Sequence, residues 1–119
     1  MSEPRRALVV DDNQTNRMLA KALLARLGWG VDEADCGETA LAMTAAANYR
    51  LILLDISMPG LSGEETCAEL RKLGRPIYII AYTAHAFPEE RARFLEIGFD
   101  EILVKPINRG QLEALVSKV

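Results

Sequence analysis

The chain has 119 residues, half of them apolar, with 14 basic and 17 acidic side chains and a formal charge of −3. That length fits one domain, and the interspersed charges leave no basic stripe for nucleic-acid phosphates. No apolar run approaches the roughly 18 residues of a membrane span. The lead MSEPRR is no signal peptide, and Cys36 and Cys67 lack a CxxC or neighbouring His. The expectation is a cytoplasmic domain with free thiols, directly touching neither nucleic acid nor membrane.

Residues 1–6 are expected to be a loosely ordered lead, followed by a first strand at Ala7–Val10. This strand stops on two adjacent carboxylates, Asp11 and Asp12. Two readings fit that stretch alone: capping of the following helix, a task Asn13 could share, and a metal site. Leu19, Leu23 and Leu27 then recur at i, i+4 and i+8 and are closed by Gly28, which predicts an amphipathic helix with a glycine stop. Trp29–Ala34 reads as a second strand. Asp35 and Glu38 have capping-box spacing, ahead of an alanine-rich helix to about Asn48.

Leu51–Leu54 is a continuous apolar run, as expected of a strand buried on both faces. Ser62 and Glu65 start a third helix that ends at Gly74, and Ile77–Ala81 is the fourth strand. Phe87-Pro88-Glu89-Glu90 opens a fourth helix with proline and acids in its first turn, and Gly98 closes it. Ile102–Val104 is the fifth strand. Asn108 and Gln111 begin the last helix, with Leu112, Leu115, Val116 and Val119 on one face. The alternation predicts a single α/β domain over residues 1–119. It is doubly wound, (βα)5, with a five-stranded parallel sheet of order 2-1-3-4-5 and helices on both faces.

Such sheets bind ligands outside the carboxyl ends of their strands, beside the reversal of strand order. Asp11 and Asp12 follow strand 1, Asp55 strand 3, Thr83 strand 4, and Lys105 with Pro106 strand 5. Three carboxylates within about 5 Å repel pairwise by roughly 3 kcal/mol at an effective dielectric near 20. Lys105 offsets part of this, and a hard divalent cation would offset more. An all-oxygen set without His or Cys suits Mg²⁺ and not zinc. No nucleotide-cradling glycine motif is present. A carboxylate beside Mg²⁺, a lysine and a hydroxyl is a plausible nucleophile toward a phosphoryl group. Asp55, alone at the end of the central strand, is the candidate.

The segments VVDDN (9–13), LLDISMPGLSG (53–63), AYTAHA (81–86) and VKP (104–106) resemble, in this order and spacing, the receiver domain of two-component response regulators. The details of 9–27 and 81–86 look most like receivers of hybrid histidine kinases. The resemblance implies that Asp55 accepts a phosphoryl group from a phosphohistidine on a histidine kinase or histidine phosphotransfer protein. It implies Mg²⁺ on Asp12 and Asp55, on Asp11 mainly through water, and on the Ser57 backbone carbonyl. Thr83 and Lys105 would bind the phosphoryl group, and the Lys105–Pro106 bond would be cis. The added charge would repack the face of helix 4, strand 5 and helix 5 for a downstream protein target.

One position departs from the family. Where an aromatic ring usually stands three residues before the lysine, this chain has Ile102, which cannot make the ring's inward swing. Strand alternation points the neighbouring Tyr82 to the face opposite Thr83. His85, two residues past Thr83, and Ser57, two past Asp55, either tune the lifetime of the acyl phosphate or are loop residues without that role. Two other readings compete with this one. A phosphohydrolase of similar fold would have a second Asp where Ser57 stands. An interaction module that keeps the fold without phosphorylation usually loses the acceptor or the acid pair, whereas all five rim residues are present here.

Overall fold

Apolar runs and amphipathic stretches alternate strictly in the computed structural model, which describes residues 5–84 and 86–119. The strands are β1 (Arg6–Val10), β2 (Gly30–Ala34), β3 (Leu51–Asp55), β4 (Tyr78–Thr83) and β5 (Glu101–Val104). The helices are α1 (Gln14–Arg26), α2 (Gly37–Ala46), α3 (Gly63–Arg71), α4 (Pro88–Ile97) and α5 (Arg109–Val116). All strand pairs are parallel and the sheet order is β2-β1-β3-β4-β5, as the sequence predicts.

Residue alternation splits the core into two layers. Leu8, Val10, Ile52, Leu54, Ile79, Ala81 and Ile102 face a cluster completed by Ala40 of α2, Cys67 and Leu70 of α3, and Phe94 of α4. Ala7, Val9, Leu51, Leu53, Ile80, Tyr82 and Leu103 face the other layer, with Ala20 and Leu24 of α1 and Leu112 and Val116 of α5. β3 is buried at all five positions, which accounts for its unbroken apolar run ending on Asp55.

Several local expectations shift. Arg6, placed in the expected lead, opens β1 opposite Gly30, while residues 1–4 lie outside the described residues. Trp29 precedes β2 and packs under the sheet instead of extending it. β4 begins one residue after Ile77 and runs two past Ala81, so Thr83 is its last residue and not a loop residue. The buried line of α1 is Ala20 and Leu24, with Leu23 and Leu27 half-buried, and Leu19 is 46 % exposed. The expected Asp35/Glu38 box does not form. Cys36 takes the N-cap position, without a side-chain cap bond. The Ser62/Glu65 box does form, with both reciprocal bonds at 3.1 Å. Asn108 caps α5 through the Gln111 N–H.

Candidate functional site

Parallel strands bring their carboxyl ends to one rim, and each loop there is pinned by backbone bonds. The Asp11 N–H donates to the Ala34 carbonyl at 3.1 Å, adding one rung to the β1–β2 ladder. The Asn13 N–H donates to Asp11 Oδ1 at 2.9 Å, and Asn13 Oδ1 accepts from the Asn16 N–H at 3.0 Å. Capping of α1 therefore falls to Asn13, leaving both aspartates for another purpose. Arg17 Nη1 donates to the Asp11 carbonyl at 2.8 Å. On the β3 side, the Gly63 N–H donates to the Ile56 carbonyl and closes the 56–63 loop. A Cβ at Gly63 would overlap the Asp55 carbonyl oxygen, so α3 starts this close to β3 only because that residue is glycine.

Asp11, Asp12 and Asp55 converge, with one carboxylate oxygen from each lying within 4.8 Å of the others. Asp11 is fully buried, Asp55 is 3 % exposed, and Asp12 is exposed at the mouth. Lys105 Nζ donates to Asp55 Oδ1 at 3.0 Å and stands 3.4 Å from Asp11 Oδ2. Asp11 Oδ2 is buried and has that ion pair, but makes no hydrogen bond among the described residues. The Lys105 ammonium also lies 4.9 Å from the centre of the Tyr82 ring, a cation–π contact of about 0.5–1 kcal/mol.

Burial raises the Asp55 carboxyl pKa to about 6. The Lys105 hydrogen bond opposes this, and the Asp11 charge adds to it. Burial works against the Lys105 ammonium, but Asp55 and then Asp11 outweigh it and raise its pKa. One ammonium against three carboxylates leaves an excess of two negative charges at the rim. A buried carboxylate oxygen without a hydrogen bond among the described residues, an all-oxygen donor set and an exposed side facing water fit a hard divalent cation that keeps part of its water shell.

The remaining predicted residues fall around this cluster. Thr83 is buried at the end of β4, one residue beyond the register partner of Asp55, and its carbonyl accepts the Lys105 N–H at 2.7 Å. The Lys105–Pro106 peptide is cis. Ser57 is exposed, and its backbone N–H helps hold down the Asp55 pKa. Ile102 is 9 % exposed, opposite Ala81 and in the same layer as Phe94 of α4. Tyr82 points into the other layer, as alternation predicts. His85 lies outside the described residues. Sequence reasoning missed Arg17 and Gly63. Neither has a spacing that ties it to the rim: Arg17 reaches the Asp11 carbonyl and Gly63 the Asp55 backbone only in the folded chain.

The family model described as response regulator receiver domain matches residues 7–117. The sensor histidine kinase GacS of Pseudomonas protegens is 36 % identical over 122 residues, covering 98 % of this chain and 13 % of that protein. The two-component response regulator ORR41 of Oryza sativa is 35 % identical, covering 95 % of this chain and 92 % of that protein. This chain thus spans a small part of the kinase and most of the rice regulator. Among solved structures, response regulator TrrA of Thermotoga maritima in complex with Mg²⁺ and BeF superposes with a TM-score of 0.86 at 39 % identity, covering 96 % of this chain and 97 % of that one. With the sheet order, the rim cluster and a match over nearly its whole length, the chain belongs to the response regulator receiver domains of two-component systems.

Proposed function

We propose that Asp55 is the phosphoacceptor of this receiver, taking a phosphoryl group from a phosphohistidine on a histidine kinase or histidine phosphotransfer protein. The working place is the cytoplasm, and no helix among the described residues is long and apolar enough to cross a membrane. The carrying observation is the buried Asp55 carboxylate, within 4.8 Å of two further carboxylates and bonded to Lys105 at 3.0 Å.

One carboxylate oxygen of Asp55 forms the new P–O bond. The P–N bond to the donor imidazole breaks, and its electron pair stays on the ring nitrogen. Mg²⁺ held by Asp11, Asp12, Asp55 and the Ser57 carbonyl would neutralise phosphoryl oxygens during transfer. Lys105 already reaches both Asp55 and Asp11, so its ammonium can follow the charge from carboxylate to phosphoryl oxygen. The Thr83 hydroxyl, at the end of the neighbouring strand, supplies a neutral donor to the same group. The chain acts on its own carboxylate and loses the group to water, with the exposed Ser57 setting access. It turns over no separate substrate.

Intact mass after acetyl phosphate and Mg²⁺ tests this. One phosphoryl group on wild type, absent in Asp55→Asn and abolished by chelator, is the expected result. No adduct, together with no Mg²⁺-dependent binding of beryllofluoride, would overturn it.

A second reading, a receiver weakly coupled to its surface, is favoured by one observation. Ile102 fills the layer beside Phe94 with an aliphatic side chain that has no ring to rotate. On this reading, beryllofluoride shifts the NMR signals of Thr83 and Lys105 and leaves α4 unchanged. Shifts spread along α4 would restore full coupling to the face of α4, β5 and α5 that a downstream protein would read.

A further inference from the structure

We infer that Arg17 is a positioning residue for the metal, acting through the backbone of the acid loop; the inference rests on the proposed Mg²⁺ role of Asp11 and Asp12. The Asp11–Asp12 peptide joins a buried carboxylate to an exposed one, and its orientation decides where the Asp12 carboxylate points. Asp11 is fixed on the β2 side through its N–H and on the α1 side through Oδ1. Its carbonyl accepts, among the described residues, from Arg17 Nη1 at 2.8 Å and from no backbone N–H. That guanidinium is itself fixed. Its Nε faces Glu33 Oε1 of β2 at 3.3 Å, Lys21 supports Glu33 from the other side at 3.4 Å, and the Arg17 side chain is only 16 % exposed. The result is a brace from β2 through the first turns of α1 to the peptide between the two carboxylates. A charged, planar donor with two engaged edges suits this, because one edge can be anchored while the other aims the carbonyl.

The effect on the metal has a sign that separates positioning from simple charge. Arg17 is a cation near a cation site. If its charge alone mattered, removing it would tighten Mg²⁺ binding. If it positions the peptide, removing it releases Asp12 and weakens binding, by about tenfold on the scale of outer-shell partners. The test is a Mg²⁺ titration of the full chain by calorimetry, with wild type, Arg17→Ala and Arg17→Lys. Thermal unfolding in chelator checks that each is folded. Acetyl phosphate labelling rates are measured across the same Mg²⁺ range.

Positioning predicts a half-saturation point about tenfold higher in Arg17→Ala and intermediate in Arg17→Lys, whose single ammonium reaches the carbonyl or Glu33 but does not span both. It also predicts a labelling rate that returns to within about twofold of wild type at saturating Mg²⁺, which a merely unstable variant would not show. Unchanged or tighter Mg²⁺ binding in Arg17→Ala, with wild type binding normally, overturns this inference and leaves the phosphoacceptor reading standing. Absence of Mg²⁺ binding in wild type overturns that reading, and the inference falls with it.

Discussion

Asp55 illustrates how a single residue at this rim trades stability for chemistry. Its carboxyl sits among Asp11 and Asp12 with one ammonium between them, and burial raises its pKa to about 6. A carboxyl whose folded pKa lies above its unfolded value opposes folding once pH rises past the unfolded value near 3.8, and does so in full above about pH 6. Asp55→Asn should therefore be more stable than wild type by about 1–3 kcal/mol in chelator at neutral pH. That gain should shrink to nothing as pH falls toward about 4. Denaturant melts at several pH values check this. A neutral-pH loss of stability would mean that the Lys105 bond outweighs the cost of burial and the Asp11 repulsion together. Arg17 works on the same scale, and its weight comes from what it touches more than from its charge.

At the scale of elements, helix starts decide how the loops approach the rim. Ser62 and Glu65 satisfy each other's backbone N–H groups at the start of α3. Ser62→Ala is expected to cost about 1 kcal/mol. Asp35→Ala should cost under about 0.5 kcal/mol, because Cys36 holds the N-cap position of α2 with no carboxylate bonded there. Melting both variants side by side separates a real capping box from one that exists only as spacing. Gly63→Ala places a methyl against the Asp55 carbonyl oxygen and the Ile56 Cα. It should cost about 1–3 kcal/mol and should also weaken Mg²⁺ binding, since relief requires β3 and α3 to move apart at Asp55. Wild-type stability and metal affinity in Gly63→Ala would show that the loop yields elsewhere.

Over the whole molecule, the acidic cluster and an arginine-lined cavity lie at opposite ends of the sheet. The carboxyl pole gathers Asp11, Asp12 and Asp55. The amino pole, where the helices end, has a cavity of about 460 Å³ lined by Arg6, Arg50 and Arg75. The exposed carbonyls of helix C-termini account for part of this. Arg75 donates to the Thr44 and Ala47 carbonyls at the end of α2, and Arg71 binds the Gly98 carbonyl after α4. The acidic site draws on the neighbouring strands β1 and β3, so a cation held there would tie those two strands together at their carboxyl ends. Saturating Mg²⁺ is expected to stabilise wild type by roughly 1–2 kcal/mol, seen as a Tm rise of about 4–10 °C. Asp12→Ala should remove most of that rise. A metal-independent Tm in wild type would contradict a cation site spanning the strands.

Chain order, strand number, sheet order and the covering of both faces by helices were legible in the sequence. They depend on periodicity and on where apolar runs stop, and both are local properties of the chain. Asp11, Asp55 and Lys105 could be assigned to one rim because parallel strands must end on the same side. What tertiary structure alone decided were the contacts between segments distant in sequence. Leu19 continues the apolar spacing of α1 yet is 46 % exposed, because the line of α1 turned to the sheet is centred on Ala20 and Leu24, with Leu23 and Leu27 half-buried beside it. Asp35 and Glu38 have the spacing of a cap, but the chain enters α2 with Cys36 in the capping position. The brace from Glu33 through Arg17 to the Asp11 carbonyl joins residues whose pairing no spacing encodes, because β2 and α1 meet only after the crossover has folded back.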